Sequence, residues 1–565
     1  MGTGKWSGRD VLTRSIGQQG RRITLAAALG AAHQLGEVSV PVLIGVVIDR
    51  AVARSDGGLL ALWLGVLAIV YVALSWSFRL GARSGERAAE EAAHELRLAL
   101  VRRVLDARGG AETGRLPGEL ANVATEDAKR VGAVNMALMS GIWACAGVAA
   151  GAVALLVISL PLGLIVLLGT PALLYLGHLL SKPLERRSEA QQDRAAHASG
   201  VAADLVAGLR VLKGIGAQRA AIERYRLTSH DSLAATLRAA RAESWQTGLV
   251  IALTGGFITL VALVGGRLAL GGDITLGQLV SAVGLALYLL GPLETFAWVN
   301  AELAQGRASA ARIAEVLSAD PAVASGEDEP AGPVRGAVRL RGVRLDGLDG
   351  LDLDLPAGRL TGVAVTDPAD AQALLRCLGR DADPESGRVE LDGVPLTALD
   401  PDLLRTAVLV AAHDAALFEG TLAENVEATS GSEDPETLRS MAAACADEVA
   451  RSLPYGAGTD VGEGGRSLSG GQRQRVLLAR ALRAGREVLV VHDPTTAVDA
   501  VTEARIAEGI REVRGGRTTV LVTNSPALLA VTDRVVLLDR GRIGAEGTHA
   551  ELVRTDAAYR TAVLA

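Results

Sequence analysis

Lysine is absent from this 565-residue chain after Lys213, and therefore from its whole second half. A phosphate-binding loop needs glycines for close approach, a lysine that neutralises phosphate oxygens, and a serine or threonine for magnesium. Because no shift of register can supply a lysine, this absence excludes a complete loop of that kind anywhere after residue 213.

Cysteine is scarce, and the three present do not form a pattern. Cys145, Cys377 and Cys445 lie far apart without metal-ligand spacing, so we expect neither a disulfide framework nor a metal site. The net charge is only −6 and no basic block is interleaved with aromatic residues, which argues against nucleic acid as a partner. The first 22 residues also lack the apolar core and cleavage site of a secretory signal.

Long apolar runs are abundant in the first 300 residues. Hydrophobic residues make up 49% of the chain and the mean hydropathy is +0.29, values that indicate a membrane protein. About 20 residues of helix cross a bilayer. On that basis the sequence predicts six transmembrane helices, near 23 to 48, 59 to 81, 132 to 158, 161 to 181, 246 to 270 and 276 to 300.

The connections between these spans alternate in length and in charge. Short ones lie near 49 to 58, 159 and 271 to 275, whereas 82 to 131 and 182 to 245 are long and rich in arginine. The positive-inside rule then puts both long connections, and both termini, in the cytoplasm. Their apolar periodicity predicts helices that continue well beyond the membrane.

A change of pattern marks a second domain. Residues 318 to 335 are acidic and punctuated by proline and glycine, as in an exposed linker. Beyond them, short apolar runs alternate with helical patterns, which predicts an α/β fold. We therefore expect an all-helical membrane domain over 1 to 317 and an α/β domain over 336 to 565.

The run Leu468-Ser469-Gly470-Gly471-Gln472 stands before an arginine-rich helix. It resembles the signature motif of ATP-binding cassette (ABC) proteins, which in that family contacts nucleotide held by the opposite subunit. Looser matches follow the family's order, so nearly the whole chain resembles a half-transporter of the ABC exporter fold: Gly118 to Asp127 and Gly208 to Lys213 for the coupling helices, Gly291 to Leu293 with Ala308 to Ile313 for the sixth helix, and Thr459 to Glu463 before the signature.

The signature keeps the groups that its chemistry requires. Ser469 supplies a hydroxyl, while Gly470 and Gly471 allow backbone N–H groups at a helix N-terminus to approach a phosphate. Gln472 completes the motif. A chance match that only caps a helix is the alternative interpretation.

At the position of the phosphate loop, by contrast, the family's ligand-binding residues are replaced. Aligned to the family pattern, Ala371 replaces the lysine and Gln372 replaces the magnesium-binding serine. Asp367, Pro368 and Asp370 precede them, and we expect the two carboxylates to occupy the helix N-terminus where a phosphate would otherwise bind.

Other positions of the nucleotide site are altered too. Asp493 matches the family's magnesium-side carboxylate, but Pro494 replaces the catalytic glutamate, so the resemblance implies that hydrolysis fails at this face. His413 stands at the Q-loop glutamine, although an ordinary surface histidine is the alternative, and Asn524 replaces the switch histidine. Asp499 fits the family's D-loop aspartate or a simple helix cap.

Polar residues inside the predicted spans are candidates for a substrate cavity, because burying them in lipid is costly. Glu37, Asn135, Glu294 and Asn300 qualify. Hydrogen bonds between helices, or placement near an interface, would explain them as well.

Two functions fit this pattern. The first is the degenerate half of a heterodimeric ABC transporter, nearly inactive as an ATPase alone, with ATP and Mg²⁺ held mainly by a different half-transporter that has an intact phosphate loop and glutamate. The second is a non-transporting regulator or scaffold derived from a half-transporter.

The sequence also suggests a setting for the first function. Export of a small molecule, peptide or lipid is the default by analogy, and the substrate is not named by any residue pattern. An arginine-, alanine- and glycine-rich composition suits a GC-rich bacterium and its cytoplasmic membrane, with membrane lipid as the surroundings.

Overall fold

The computed structural model describes residues 5–324, 326, 328, 332–413, 415–427 and 434–564, except the side chains of 178, 180–186, 189, 210 and 463. Part of the predicted linker, at 325, 327 and 329–331, lies outside this range. The chain forms two compact units, one of residues 1–101 and 117–318 and one of residues 102–116 and 319–565. The domain boundaries at 317 and 336 remain predictions.

The first unit is entirely helical. Two π-helical turns, Ile48–Val52 and Val123–Asp127, interrupt it. Its helices are α1 Gly8–Gln18, α2 Gly20–Val47, α3 Gly57–Val104, α4 Pro117–Asn122, α5 Ala128–Ile158, α6 Leu160–Ala207, α7 Leu209–Gly214, α8 Gln218–Gly271 and α9 Leu276–Leu317.

Five of the six predicted spans lie within one long helix each, and the first, 23 to 48, follows α2 to its end at Val47 and adds Ile48 of the π-helical turn. Helices α3, α6 and α8 have 48, 48 and 54 residues, more than twice what a bilayer requires, so the predicted extensions beyond the membrane are confirmed. Within the described part of the chain, five helical segments are long and apolar enough to span a membrane. Helix α2 is not among them, and it carries His33, Gln34 and Glu37 near its middle.

Small residues bring these helices together. A side chain at Gly30 would collide with the ring of Trp143, and one at Gly151 would lie 2.9 Å from Leu289. The Trp143 indole donates a hydrogen bond to the Ala26 carbonyl at 2.9 Å. Glycines inside the spans, such as Gly30 and Gly151, therefore permit close packing of α2 and α9 against α5.

A buried carboxylate fastens the start of α5 to the end of α9. Asp127 is 1% exposed and accepts hydrogen bonds from Ser309 Oγ and Arg312 Nε, both at 2.8 Å. Burial raises the pKa of Asp127, but the guanidinium of Arg312 and the hydroxyl of Ser309 outweigh it and hold that pKa below its usual value. Two segments that were matched separately to the exporter pattern are thus joined.

The second unit combines two sheets with helices. Its strands are β1 Val338–Leu345, β2 Leu348–Leu355, β3 Leu360–Val365, β4 Ser386–Leu391, β5 Val394–Pro395, β6 Val408–Ala411, β7 Val488–His492, β8 Thr518–Val522, β9 Arg534–Asp539 and β10 Arg542–Gly547. Its helices are α10 Pro368–Leu378, α11 Pro401–Ala407, α12 Leu422–Glu427, α13 Pro435–Ala443, α14 Ala446–Ser452, α15 Gly470–Arg483, α16 Ala500–Val513, α17 Pro526–Ala530, α18 His549–Thr555 and α19 Ala557–Leu564.

The larger sheet positions the site. Its strand order is β10-β9-β3-β8-β7-β6, with parallel pairing throughout except between β9 and β10. Every residue of β3, β7 and β8 is buried, as parallel strands covered on both faces require. Parallel strands end at the same edge of a sheet. The altered motifs that follow β3, β7 and β8 therefore lie side by side, after Val365, His492 and Val522.

Candidate functional site

The connection from β3 to α10 is too short for a phosphate-binding loop. Strand β3 ends at Val365 and α10 begins at Pro368, so only Thr366 and Asp367 connect them. A phosphate loop places four residues between its first glycine and the glycine-lysine pair, and their N–H groups surround the phosphate. A two-residue turn does not provide that ring of donors.

Two carboxylates occupy the start of α10. Asp367 is the N-cap and accepts from the Ala369 amide at 2.9 Å. Asp370, 5% exposed, turns the other way and accepts from the Gly541 amide at 2.8 Å. One carboxylate therefore caps the helix, and the other fastens it to the β9–β10 turn.

The residues aligned with the lysine and serine do not restore the site. Ala371 is fully buried, whereas Gln372 is exposed on α10. Neither offers a cation or a hydroxyl for a polyphosphate with its magnesium ion.

Asn524 follows β8 and bonds to the end of β3 at the same edge of the sheet. Its Oδ1 accepts from the Val365 amide and its Nδ2 donates to the Val365 carbonyl, both at 2.9 Å. The side chain thus pairs with β3 as another strand would, and both ends of its amide are engaged.

The end of β7 carries the remaining altered residues. Asp493 has φ +43, a left-handed conformation that a non-glycine residue seldom adopts, and Pro494 after it is buried. His413, an exposed residue, has its Nδ1 3.2 Å from Nδ1 of His492. Among the described residues no group of three or more His, Cys, Asp or Glu could hold a metal ion.

The signature segment has a different character, because its helix N-terminus is open. Ser469 is the N-cap of α15, where its hydroxyl accepts from the Gln472 amide at 3.3 Å while the Gln472 side chain accepts from the Ser469 amide at 2.9 Å. Ser469 and Gly470 are exposed. This capping box holds the first turn in place and leaves it accessible.

The two signature glycines differ in what they permit. A side chain at Gly470 would make only an ordinary contact with Ala497, at 3.5 Å, whereas one at Gly471 would lie 2.4 Å from the Ala497 carbonyl. Packing therefore requires Gly471. At Gly470 the described neighbours leave room for a side-chain carbon.

Gln474 is a residue of this site that the sequence interpretation did not assign. Its Oε1 accepts from the Ala497 amide at 2.9 Å, and its Nε2 donates to Thr496 Oγ1 at 2.6 Å. It holds α15 against the segment that leads to Asp499, which caps α16 through the amides of Val501 and Thr502. The sequence around a single glutamine in a helix does not predict such a pair of hydrogen bonds. We call this contact the Gln474 clamp.

The four polar residues predicted to line a substrate cavity lie in two environments. Asn135 is 1% exposed and donates to Ser15 Oγ at 3.3 Å, so its amide takes part in packing α5 against α1. Glu294 and Asn300 are exposed on α9, and Glu37 lies 3.9 Å from His33 on α2. The structure does not gather the four into one cluster, and their role in a substrate cavity remains a prediction.

Two family models match the chain. The ABC transporter transmembrane region matches residues 23–293, and the ABC transporter model matches residues 348–496. The chain belongs to the ABC transporter family. Together the two models cover most of its length and follow the division into a helical membrane part and an α/β cassette.

Several curated proteins are similar over most of this chain. A multidrug efflux ATP-binding/permease protein of Mycobacterium tuberculosis is 30% identical over 93% of the chain, but the chain spans only 44% of that relative's length. The human mitochondrial potassium channel ATP-binding subunit is 28% identical over 95% of this chain and 75% of its own. An ATP-dependent lipid A-core flippase of Cupriavidus pinatubonensis is 28% identical over 70% of this chain and 69% of its own.

A solved structure confirms the fold. A bacterial Atm1-family ABC exporter with ATP bound superposes with a TM-score of 0.73 at 23% identity, covering 97% of each chain. The chain therefore has the ABC exporter fold, with a helical membrane domain followed by a nucleotide-binding domain.

Family membership implies a cassette that works with ATP and Mg²⁺. The residues at this chain's own phosphate position do not fit that ligand. The loop is reduced to two residues, the carboxylates of Asp367 and Asp370 would repel phosphate oxygens, and Asn524 is bonded to β3.

Proposed function

We propose that this half-transporter is the degenerate subunit of a heterodimeric ABC exporter and that it donates its signature segment to an ATP site held by a different subunit. A homodimer would combine two identical altered sites. The partner therefore has to supply a complete phosphate loop, a catalytic glutamate and a switch histidine.

One contrast supports this proposal. At the phosphate position of the chain, Asp367 caps α10, and Asp370 and Asn524 are bonded to neighbouring backbone, while the N-terminus of α15 at Ser469 and Gly470 is exposed. Exposed donors at a helix N-terminus suit a phosphate that the chain does not itself hold. Within one polypeptide such an arrangement has no evident use.

The work of this chain in the cycle follows from its own contacts. ATP on the partner supplies the free energy of hydrolysis. Ser469, which accepts a bond from Gln472, keeps an O–H to donate, and the Gly470 amide lies beside it. The Gln474 clamp then makes the signature and the segment before Asp499 move as one body.

Direction, membrane and substrate belong to the same proposal. The names of two relatives refer to multidrug efflux and to a lipid flippase, which supports export of a small molecule, peptide or lipid. The arginine-rich connections support an orientation with both termini inside, and the arginine-, alanine- and glycine-rich composition supports a bacterial cytoplasmic membrane.

The test is Ser469→Arg in the complex co-purified with the partner. The arginine would block the phosphate approach, so we expect ATPase turnover to fall at least about a hundredfold, as for loss of a transition-state donor. Ser386→Arg, on an exposed residue of β4, is the matched control and should leave turnover unchanged. Undiminished turnover in Ser469→Arg would instead favour the regulator or scaffold.

A further inference from the structure

Four arginines line a cleft between two helices of the membrane unit. Arg187 and Arg194 lie on α6 and Arg238 and Arg241 on α8, around a volume of about 370 Å³. All four are exposed. The proposed donation of the signature segment to a partner's ATP site does not use this cleft.

Alanines allow the two helices to approach so closely that the arginines flank a common space. Ala235, Ala239 and Ala242 are each less than 10% exposed along α8. Among the side chains that the structure describes, the ion pair in this cleft joins Arg194 and Asp231 at 3.9 Å, with both partners more than half exposed. A pair of that kind neutralises little of the positive charge.

The predicted span of α8 places the cleft next to the membrane surface. Trp245 directly precedes the predicted span at 246 to 270 and is 81% exposed, a position typical of an interfacial anchor. With a rise of about 1.5 Å per residue, Arg241 lies about 6 Å and Arg238 about 10 Å before Trp245. The Arg194–Asp231 contact brings Arg187 to the level of Arg238 on the antiparallel helix.

Arg241 lies at the depth of the lipid headgroups, because a bilayer adds about 5 to 8 Å of headgroup on each side of its hydrocarbon core. Arg187 and Arg238 lie a few ångströms further out, and their long side chains can extend back towards the phosphates. Planar guanidinium groups match phosphate oxygens in a bidentate manner and are weakly hydrated.

One face of α8 repeats the order of groups in a phospholipid. Arg238, Arg241, Trp245 and Leu249 follow at spacings of three and four residues, so they lie on a common face. Leu249 is 43% exposed inside the span. The face therefore presents cations, then an interfacial ring, then apolar surface for an acyl chain.

We propose that this cleft binds the headgroup phosphate of an anionic phospholipid, in the leaflet next to the helical extensions of α6 and α8. The lipid would fix the separation of the two helices where they leave the membrane. The site does not depend on the identity of the partner subunit or on the state of the nucleotide sites.

The test uses the full chain in detergent, titrated with dibrominated phosphatidylglycerol or dibrominated phosphatidylcholine while tryptophan fluorescence is recorded. Bromine quenches nearby indoles, and Trp245→Phe identifies the part of the signal that belongs to Trp245. We expect phosphatidylglycerol to bind at least about tenfold more tightly than phosphatidylcholine, since each arginine near an anionic lipid contributes to the attraction.

Substitution separates this site from general positive charge. Changing Arg187, Arg238 and Arg241 together to Gln should abolish the tenfold preference, whereas changing the exposed Arg219, Arg224 and Arg226 to Gln, with the same loss of charge, should keep it. A lysine version of the first variant should retain part of the preference and shows whether the substituted cleft still folds.

Three results would overturn the proposal. Equal quenching by the two lipids would show no headgroup selection. An equal loss in both glutamine variants would assign the effect to net charge alone. Competition by millimolar inorganic phosphate that removes Trp245 quenching would identify a site for soluble anions rather than for a lipid.

Discussion

At the scale of single residues, a carboxylate and an amide bond to the chain's own backbone at the position that aligns with the family's phosphate site. Asp370 is buried and bonded to the Gly541 amide, and Asn524 pairs with both backbone groups of Val365. Each bond satisfies a polar group that would otherwise need a ligand or water. At this position the side chains of Asp370 and Asn524 therefore have a structural role, joining neighbouring segments of the chain.

Restoring the consensus residues alone should not restore ATP binding. In Ala371→Lys with Gln372→Ser the lysine replaces a fully buried alanine, so we expect a loss of about 3 kcal/mol or more in the free energy of unfolding. We also expect no rise in thermal midpoint with MgATP, because the two-residue turn still lacks the ring of amides. Thermal denaturation of the full chain measures both effects.

Gln372→Ser by itself is the matched control for that experiment. Gln372 is exposed, and surface changes of this kind stay within about 0.5 kcal/mol. A clear MgATP-dependent stabilisation of the double variant would show that the missing lysine, rather than the shortened loop, prevents binding.

At the scale of elements, the sequence predicted what depends on periodicity and spacing. The α/β alternation predicted beyond residue 335 is found in the second unit, where buried strands such as β3, β7 and β8 alternate with helices, and the six predicted spans lie on α2, α3, α5, α6, α8 and α9. These features are predictable because each repeats one physical requirement, a buried strand or a lipid-facing helix, over many residues.

Contacts between distant segments were not predictable in the same way. The Asp127–Arg312 pair and the Gln474 clamp join residues far apart in sequence or in different motifs. A lone aspartate or glutamine in a helix has the same pattern whether it faces solvent or such a partner. The cleft between α6 and α8 likewise appears only once the antiparallel register is known.

Asp127→Asn tests the junction between α5 and α9. Losing the charge-assisted bonds to Arg312 and Ser309 should lower the free energy of unfolding by about 1 to 2 kcal/mol near neutral pH. Because the folded-state pKa of Asp127 is lowered from 3.8, this stabilisation is present above pH of about 4 and is lost as the pH falls towards the folded pKa.

The thermal midpoints of wild type and Asp127→Asn should accordingly converge as the pH is lowered below about 4. Glu126→Gln, at the exposed neighbouring residue, is the control and should match wild type at every pH. A gap between wild type and Asp127→Asn that is independent of pH would show that the carboxylate's charge does not matter.

At the scale of the whole molecule, the chain is a member of the ABC transporter family with the fold of an exporter subunit, and we propose that its own nucleotide site is degenerate. Its fold superposes on an ATP-bound exporter with a TM-score of 0.73, so the scaffold is retained while the phosphate position is rewritten. The proposed function therefore requires a functional asymmetry between two subunits, which no property of a single chain supplies.

The number of ATP molecules bound per complex tests that asymmetry most directly. Equilibrium dialysis of the purified heterodimer, with the partner's catalytic glutamate changed to glutamine to stop turnover, should give one tightly bound ATP per complex and none for this chain alone. Two ATP molecules per complex with similar affinity, or ATP retained by this chain by itself, would contradict the account.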